Sequence, residues 1–433
     1  MLSKLRAELA FFRKQPHNFR TLILTNMVYA LVGPVIDTFV SAYIMRSSND
    51  PTKVVIYQLT IYTGIPLTFL LNGFLLRHFN IRKLFSAGML LSGVSMLAMM
   101  SLKTLSNAGI AGAGLIMGMS FGFYWANRDT LVLDVTDDSN RNYYYGLETF
   151  IYTIVAVVMP FAIGWFIHIQ SRDAHAHGAY LAIIGIAFCV TILASVICLR
   201  GRFANPAARR FVYFRFHPLW NRLLLLALLK GLGQGFLVTA PSMLIMTLLG
   251  DEGSLGSAQT IGALFAAVAM YVLGRLTSPD DRVRIFAGGL LLFLLAALSN
   301  AILFNAAGVI LFMLFLLLAK PLLDLAYFPI QFRVIDIVKR IERRSEFSYI
   351  LNHEAGLYVG RFSGALAFLL LAYDFSTTIA LRYAILLIAT IQLLSLFVAR
   401  NIVRTGNTLA GGKIHDDDAA TLYAEDALVT NAR

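Results

Sequence analysis

The chain has 433 residues, of which 58% are hydrophobic and 14% are charged, and its mean hydropathy is +0.71. A soluble protein would expose too much of this apolar surface to water, whereas lipid can face it without penalty, so an ordinary soluble protein is excluded. The net charge of +12 would indicate a nucleic-acid partner if the protein were soluble. Here the basic residues lie between apolar runs, which favours a role in membrane orientation, and we expect no nucleic-acid partner.

The first half begins with residues 1–20, where large apolar side chains mix with basic ones, as in an amphipathic helix on the cytoplasmic surface. Because no small-residue cleavage site precedes the first apolar run, we expect an uncleaved span rather than a signal peptide. An N-terminal bundle of six spans is predicted over 21–199, each span close to the ~20 apolar residues that cross a bilayer. The spans lie near 21–45, 54–76, 84–102, 109–133, 144–169 and 179–199.

A basic segment at 200–221 then interrupts the apolar pattern, and Pro206 and Pro218 disfavour one continuous helix through it. We interpret it as a cytoplasmic linker between two halves. A C-terminal bundle is predicted over 222–400, and residues 401–433 form a polar tail that we expect to be disordered. The six spans of this second bundle lie near 222–248, 255–274, 285–304, 307–333, 347–373 and 379–400.

The distribution of basic residues supports this number of spans. With both termini in the cytoplasm, paired cations such as Arg82 and Lys83, or Arg282 and Arg284, fall on the inner side, whereas the outer loops carry scattered cations among carboxylates. One missed span would exchange the two sides for all later loops and destroy the asymmetry. The sequence therefore predicts about twelve spans in the inner, or plasma, membrane.

The two halves also share a repeated pattern in which an apolar helix ends, a short charged loop follows and another apolar helix begins. Arg128 and Glu148 recur as Arg333 and Glu354 at spacings of 205 and 206 residues (333 minus 128, and 354 minus 148), and the tyrosines at 143 and 152 recur at 349 and 358. Four matches in register indicate a duplicated half. Membrane proteins built from two similar halves commonly act by moving one half against the other.

Twelve spans in two similar halves with a basic central segment resemble the major facilitator superfamily of transporters. The motif of that family between its second and third spans is matched in part by GFLLRHFNIRK, which keeps Gly73, Leu75 and Arg82, and more weakly by GRLTSPDDRVR in the second half. The resemblance implies an all-α integral membrane protein with about twelve transmembrane helices in two pseudo-symmetric six-helix bundles. It also implies a small-molecule substrate carried by a monomer.

Ionisable side chains inside the bilayer are costly, so they are the first candidates for function. Lys320 and Asp324 lie near the middle of the tenth span and are four residues apart, so they share a helix face and are able to pair. Pro321 lies between them and disturbs the helix. We interpret this group as a substrate or proton site facing a central cavity, and the alternative is an internal ion pair that only neutralises itself.

Four further side chains join this predicted binding site. Asp37 in the first span and Lys230 in the seventh occupy corresponding spans of the two halves, and Gln234 follows Lys230 by one turn. Arg361 in the eleventh span lies seven residues after Glu354, so both are able to face inward. Lys230 could instead extend towards the headgroups from the cytoplasmic end of its helix.

The repeated pairs Arg128–Glu148 and Arg333–Glu354 are predicted to meet at the cytoplasmic ends of their helices. They would form either a cytoplasmic gate that yields as the conformation changes, or a static contact below the loops. Asp129 is a further candidate for the same network.

Other polar and aromatic side chains in the spans are candidates for the cavity wall. His353 could relay protons beside Glu354, although a histidine near the interface more often only satisfies a hydrogen bond. The remaining candidates are Asn26, Tyr29, Tyr124, Trp125, Asn127 and Tyr358.

These patterns predict a secondary transporter that moves a small solute by alternating access. The cavity cations favour an organic anion or a zwitterion, with a proton as a candidate coupling ion. We recognise in the sequence no nucleotide-binding loop, metal-ligand cluster, cofactor motif or nucleophile–base pair. Neither an enzyme nor an ATP-driven pump is therefore predicted. A non-transporting receptor or scaffold and a lipid flippase are the alternatives, and the substrate, direction and coupling are left open.

Overall fold

The computed structural model describes residues 10–102, 104–136, 140–172, 176–205, 213–276, 281–344 and 346–411. Within these ranges the regular structure is helical and no strand occurs. Eleven helices of the described residues are long and apolar enough to cross a membrane. A twelfth helix, Glu252–Leu276, lies at the predicted span 255–274, so the structure has eleven to twelve candidate membrane helices, in agreement with the predicted number of about twelve.

The first half contains six helices. α1 consists of His17–Ala30, a π-helical turn at Val35–Phe39 and Val40–Ser48. The others are α2 Pro51–Leu75, α3 Ile81–Ser101, α4 Asn107–Val135, α5 Arg141–Arg172 and α6 Ala176–Leu199.

The second half repeats this order with six more helices. α7 consists of Pro218–Leu237 and Ala240–Leu248, and α12 consists of Thr377–Gln392 and Leu394–Gly411. Between them lie α8 Glu252–Leu276, α9 Arg282–Leu303, α10 Ala306–Glu342 and α11 Glu346–Asp374.

Two faces of the bundle are named by the helices that begin and end there. The basic face is the end at which α1 begins and α12 ends, and the capped face is the opposite end, where α1 ends and α8 begins. The helices start where side chains satisfy their free backbone N–H groups: at the capped face Asp50 accepts from the Thr52 N–H at 2.9 Å and Asn305 from the Gly308 N–H at 2.9 Å. These caps keep the connections at the capped face short.

Proline interrupts corresponding helices of the two halves. In α1, Pro34 directly precedes the π-helical turn, and in α7, Pro241 follows the break at Val238 and Thr239. Proline lacks a backbone N–H and therefore breaks the regular helical ladder. Single π turns occur frequently at functional sites, and the turn in α1 contains Asp37.

Close helix packing explains the glycine run of α7. A Cβ atom placed on Gly231 would lie 2.3 Å from the Leu357 carbonyl oxygen of α11, and one on Gly235 would lie 2.2 Å from the Arg361 carbonyl oxygen. Only glycine allows backbones to approach this closely. The run therefore packs α7 against α11.

The ends of the chain differ from the predicted tail. α12 continues to Gly411 instead of ending near 400, so residues 401–411 are helical, and residues 412–433 lie outside the described residues. At the other end residues 10–14 are helical, and residues 1–9 lie outside the described part. In the predicted linker, 206–212 are also outside it, and Pro218 already begins α7.

Candidate functional site

Lys230 is the charged side chain that α7 contributes to the space between the helices. Its Nζ lies 3.0 Å from Asp324 Oδ1 on α10 and sits 3.9 Å and 4.1 Å from the ring centres of Tyr327 and Phe328. A cation over aromatic faces is stabilised when it is partly removed from water, and this side chain is only 16% exposed. Lys230 therefore turns towards α10 rather than extending to the headgroups.

The pairing expected between Lys320 and Asp324 does not form, because Asp324 pairs with Lys230 instead. An i,i+4 pair on one helix contributes only about 0.2–0.5 kcal/mol, and the order lysine then carboxylate is its weaker orientation. Lys230 lies on a neighbouring helix and also packs against two aromatic rings, so its pairing with Asp324 outweighs this weak i,i+4 contribution. Among the described residues Lys320 has no ion-pair partner within bonding distance, and its side chain is exposed.

Asp37 of α1 interacts electrostatically with Lys320 of α10, which belongs to the other half of the molecule. Its side chain is exposed although its neighbours Ile36 and Thr38 are buried, and Lys320 is the cation that acts on it electrostatically. A carboxylate that is exposed amid packed neighbours and interacts with a lysine of the other half is a candidate for a site between the halves. Asp37 and Lys320 are thus two opposite charges that lack a bonded partner among the residues described.

Arg361 organises a second cluster where α11 meets α7 and α2. Its Nε donates to Gln234 Oε1 at 3.0 Å, and its Nη1 lies 3.2 Å from Glu354 Oε2. Its guanidinium also lies 5.3 Å from the ring centre of Tyr62. Tyr62 belongs to α2 in the first half, and its hydroxyl donates to the Gln234 carbonyl oxygen at 2.9 Å. The sequence analysis missed Tyr62, which no periodicity distinguishes from a packing tyrosine.

His353 is buried and Tyr358 is half-buried in this structure. His353 is 5% exposed, and its Nε2 lies 2.6 Å from the hydroxyl of Tyr327, which corresponds to the hydrogen-bonded alternative for this histidine. Tyr358 packs against the apolar core and the ring of Phe362. The same Tyr327 ring lies below Lys230, so His353 adjoins the charged cluster through one tyrosine.

The first half contains a buried polar network at the ends of α4 and α5. Arg128 forms ion pairs with Glu148 and, at 2.7 Å, with Asp129. Asn26 of α1 donates to Glu148 Oε1 at 3.0 Å and to the Tyr144 hydroxyl at 2.8 Å. The predicted Arg128–Glu148 contact and the membership of Asp129 therefore both occur in the structure.

Most of the other predicted wall residues belong to this packed half and are not open to the cavity. Asn26 and Asn127 are fully buried, and Tyr29 and Tyr124 are 7% and 2% exposed. Their polar and aromatic groups contact one another: the rings of Tyr29 and Tyr124 lie 4.5 Å apart, and Asn127 exchanges hydrogen bonds with Asn72 of α2. Trp125, by contrast, is 40% exposed beside Arg128.

The second half does not repeat the Arg–Glu pair, which corrects the expectation for Arg333 and Glu354. Glu354 pairs with Arg361 on its own helix, whereas the residue 206 positions before Arg361 is Val155. The first half therefore lacks an equivalent of Arg361, and its glutamate pairs with Arg128 instead. Arg333 instead lines a crevice at the basic face.

Among the residues that the structure describes, the ion pairs that join the two halves lie at the capped face. Arg46 Nη1 of α1 lies 2.6 Å from Glu252 Oε2 of α8, and the Tyr180 hydroxyl donates to Glu252 Oε1 at 2.9 Å. Glu252 is fully buried, and beside it His168 Nδ1 lies 3.3 Å from Asp251 Oδ1. We call Arg46, Tyr180, Glu252, His168 and Asp251 the cap. The sequence analysis assigned scattered cations and carboxylates to the outer loops and did not predict these contacts.

Below the cap the two halves approach each other through glycines. A Cβ atom on Gly164 of α5 would lie 2.4 Å from the Glu252 carbonyl oxygen, and one on Gly256 of α8 would lie 2.3 Å from the Pro160 carbonyl oxygen. Arg128–Glu148, towards the basic face, and Glu354–Arg361, deeper in the bundle, each lie within one half. The structure is therefore a state that is closed at the capped face.

Twelve long helices in two repeated halves, with ion pairs and close glycine contacts between the halves, are the architecture of an integral membrane transporter. Residues 21–330 match the family model of the Major Facilitator Superfamily, which is nearly three quarters of the chain. The chain belongs to the Major Facilitator Superfamily, as the resemblance in its sequence indicated.

Two bacterial relatives align with the chain. The Bacillus subtilis (strain 168) protein named "Uncharacterized protein YqgE" is 24% identical over 359 residues, which is 81% of each chain. A Geobacillus stearothermophilus protein named "Uncharacterized protein in sodM 3'region" is 24% identical over 193 residues, covering 42% of this chain and 87% of the relative.

Solved transporters share the fold at low sequence identity. A bacterial homologue of the human drug peptide transporters PepT1 and PepT2 has a TM-score of 0.66 at 12% identity, covering 91% of this chain and 99% of its own. A mutant of the nucleoside transporter NupG has a TM-score of 0.63 at 10% identity, covering 89% and 99%. At such identities the likeness establishes the fold alone.

Proposed function

We propose that this transporter moves a small organic zwitterion or anion by alternating access around Asp37 and Lys320. The observation that carries the proposal is that these two exposed, opposite charges belong to different halves and interact electrostatically, without a bonded partner among the described residues. Transporter sites lie near the bilayer midplane where the halves meet. A substrate carboxylate or phosphate would bind Lys320, and a substrate amine would bind Asp37.

The other charges of the cavity have a different role in this proposal. Lys230 is held by Asp324, and Arg361 by Glu354, so each of these cations is neutralised within the second half. They keep α7, α10 and α11 together as one wall. When Lys320 and Asp37 are counted with these two pairs, the proposed cavity carries three positive and three negative charges. This balance favours a zwitterion over a simple anion.

The cap and the cavity together support alternating access. Contacts between α1, α5, α6, α7 and α8 close the capped face. Substrate would therefore exchange with the solution at the basic face. For release at the capped face, Arg46 and Glu252 must separate and the halves must close at the basic face. With both termini on the cytoplasmic side of a plasma membrane, this would be an inward-facing state. Asp37 is the candidate carboxylate for proton coupling, because protonation would remove the charge that an amine otherwise neutralises.

A ligand-dependent melting screen on the purified protein tests the proposal. Amino acids, peptides, organic acids, amines, sugars and nucleosides are added to the wild type and to the variants Lys320→Met and Asp37→Asn. A zwitterion should raise the melting temperature of the wild type and of neither variant. The exposed residues Lys14 and Asp374 provide matched controls, since Lys14→Met and Asp374→Asn remove the same charges outside the cavity. A zwitterion that stabilises all five proteins equally would refute the proposed site.

A further inference from the structure

A narrow crevice opens at the basic face between α9, α10 and α12, away from the central cavity. The guanidinium-bearing residues Arg282 of α9 and Arg333 of α10 line it, together with aliphatic side chains that include Val334 of α10 and Ile402 and Val403 of α12. We call this place the arginine crevice. It combines two cations with an apolar wall.

The two arginines of the crevice lack an anionic partner in the part of the chain that the structure describes. No ion pair or hydrogen bond to the side chain of Arg282 or Arg333 occurs there. Of the neighbouring carboxylates, Asp281 lies 3.5 Å from Arg284, and Asp336 is exposed on α10 and does not line the crevice. Two guanidinium groups that share a crevice repel each other, so an anion between them would be stabilised.

The position of the crevice along the helices places it at the level of lipid headgroups. α9 and α10 are joined at the capped face, and Arg282 lies 21 residues from Leu303 while Arg333 lies 27 residues from Ala306. At 1.5 Å per residue these are about 32 Å and about 40 Å, which exceeds the ~30 Å hydrocarbon core. Both arginines therefore reach beyond the acyl chains on the basic side.

We propose that the arginine crevice binds the phosphate group of an anionic phospholipid from the leaflet at the basic face. Arginine matches phosphate with two parallel N–H donors, and basic pockets between membrane helices suit anionic headgroups. The aliphatic wall would hold the glycerol and the upper acyl chain, for which a free phosphate has no equivalent. The lipid would fasten α10, the helix that carries Lys320 and Asp324, to α9 and α12.

The full-length protein in neutral detergent allows a direct test. Dioleoyl phosphatidylglycerol should raise the melting temperature of the wild type by about 3 °C or more, and phosphatidylcholine should not. The double variant Arg282→Gln/Arg333→Gln should lose this rise. Arg284→Gln is the matched control, because Arg284 lies two residues from Arg282 on the same helix and its side chain is 87% exposed. It removes one positive charge outside the crevice and should keep the rise.

A second variant and a soluble phosphate compound test the crevice and its lipid ligand separately. Gly406→Leu leaves both arginines in place and fills the crevice beside Ile337, so it should also abolish the rise even if the double variant does not fold. Soluble glycerol 3-phosphate at the same concentration should have no effect. An equal rise in wild type, Arg284→Gln and Gly406→Leu would overturn the site, and an equal rise with glycerol 3-phosphate would overturn the lipid assignment.

Discussion

Replacing Glu252 by glutamine should open the capped face. Glu252 is fully buried and accepts from Arg46 and Tyr180, and glutamine keeps the shape while it removes the charge. Hydrogen bonds to charged groups contribute about 1.5–3 kcal/mol each, and Arg46 is 33% exposed, so water can replace part of its interaction. We therefore take about 1.5–3 kcal/mol as the net loss for the closed state. Because ~1.4 kcal/mol corresponds to a tenfold change, the population open at the capped face should rise about 10- to 100-fold.

Cysteine labelling measures this population. Ser41 of α1 and Ser242 of α7 are 2% and 1% exposed below the cap, and each is replaced by cysteine after Cys189 and Cys198 are changed to serine. A membrane-impermeant maleimide added at the capped face should react at least tenfold faster when Glu252→Gln is present. Asp374→Asn removes a carboxylate charge at the same face and should leave the rate unchanged. Equal rates with and without Glu252→Gln would refute the reasoning.

Three further changes test other contacts. Gly256→Ala places a Cβ atom 2.3 Å from the Pro160 carbonyl oxygen, so it should push the halves apart and also speed maleimide labelling of the Ser41→Cys reporter. Gly288→Ala is the control, because a Cβ atom there meets nothing within 4 Å, and it should leave the labelling rate unchanged. Lys230→Met leaves Asp324 without its partner and should destabilise the protein in a denaturant or thermal unfolding series. The loss should stay below the about 3–5 kcal/mol of a fully buried pair, because the Asp324 side chain is 30% exposed. Adding Asp324→Asn should recover most of that loss, since removing both charges of such a pair is close to neutral. Tyr327→Phe removes the hydroxyl that contacts His353 and should cost about 1–3 kcal/mol in the same assay, and an unchanged stability would show that water replaces this bond.

The number and order of the membrane helices could be predicted from the sequence, because lipid requires long apolar runs and the basic loops fix their alternation. The repeat of one half in the other was also visible in the sequence, and the family match to residues 21–330 confirms the resemblance to the Major Facilitator Superfamily. The Arg128–Glu148 contact followed from the same repeat. These features depend on spacing along the chain, which a single sequence displays directly.

Partner choice between helices could not be predicted. Asp324 pairs with Lys230 at a separation of 94 residues rather than with Lys320 on its own helix, and Glu354 pairs with Arg361 rather than with Arg333. Spacing along one helix fails for Asp324 but holds for Glu354, whose partner Arg361 lies on the same helix, because the packing of the helices decides which side chains come within reach. The cap was missed for the same reason, since Arg46 and Glu252 meet only when the two halves close.

Flux in proteoliposomes tests the central claim most directly. The protein is reconstituted with a zwitterion selected by the melting screen, and uptake of the labelled compound is followed for wild type, Lys320→Met, Asp37→Asn, and the controls Lys14→Met and Asp374→Asn. Wild type and controls should exchange the solute, and the two cavity variants should lose exchange while they keep their folded helical signal. Equal flux in all five proteins would contradict a transport site between Asp37 and Lys320.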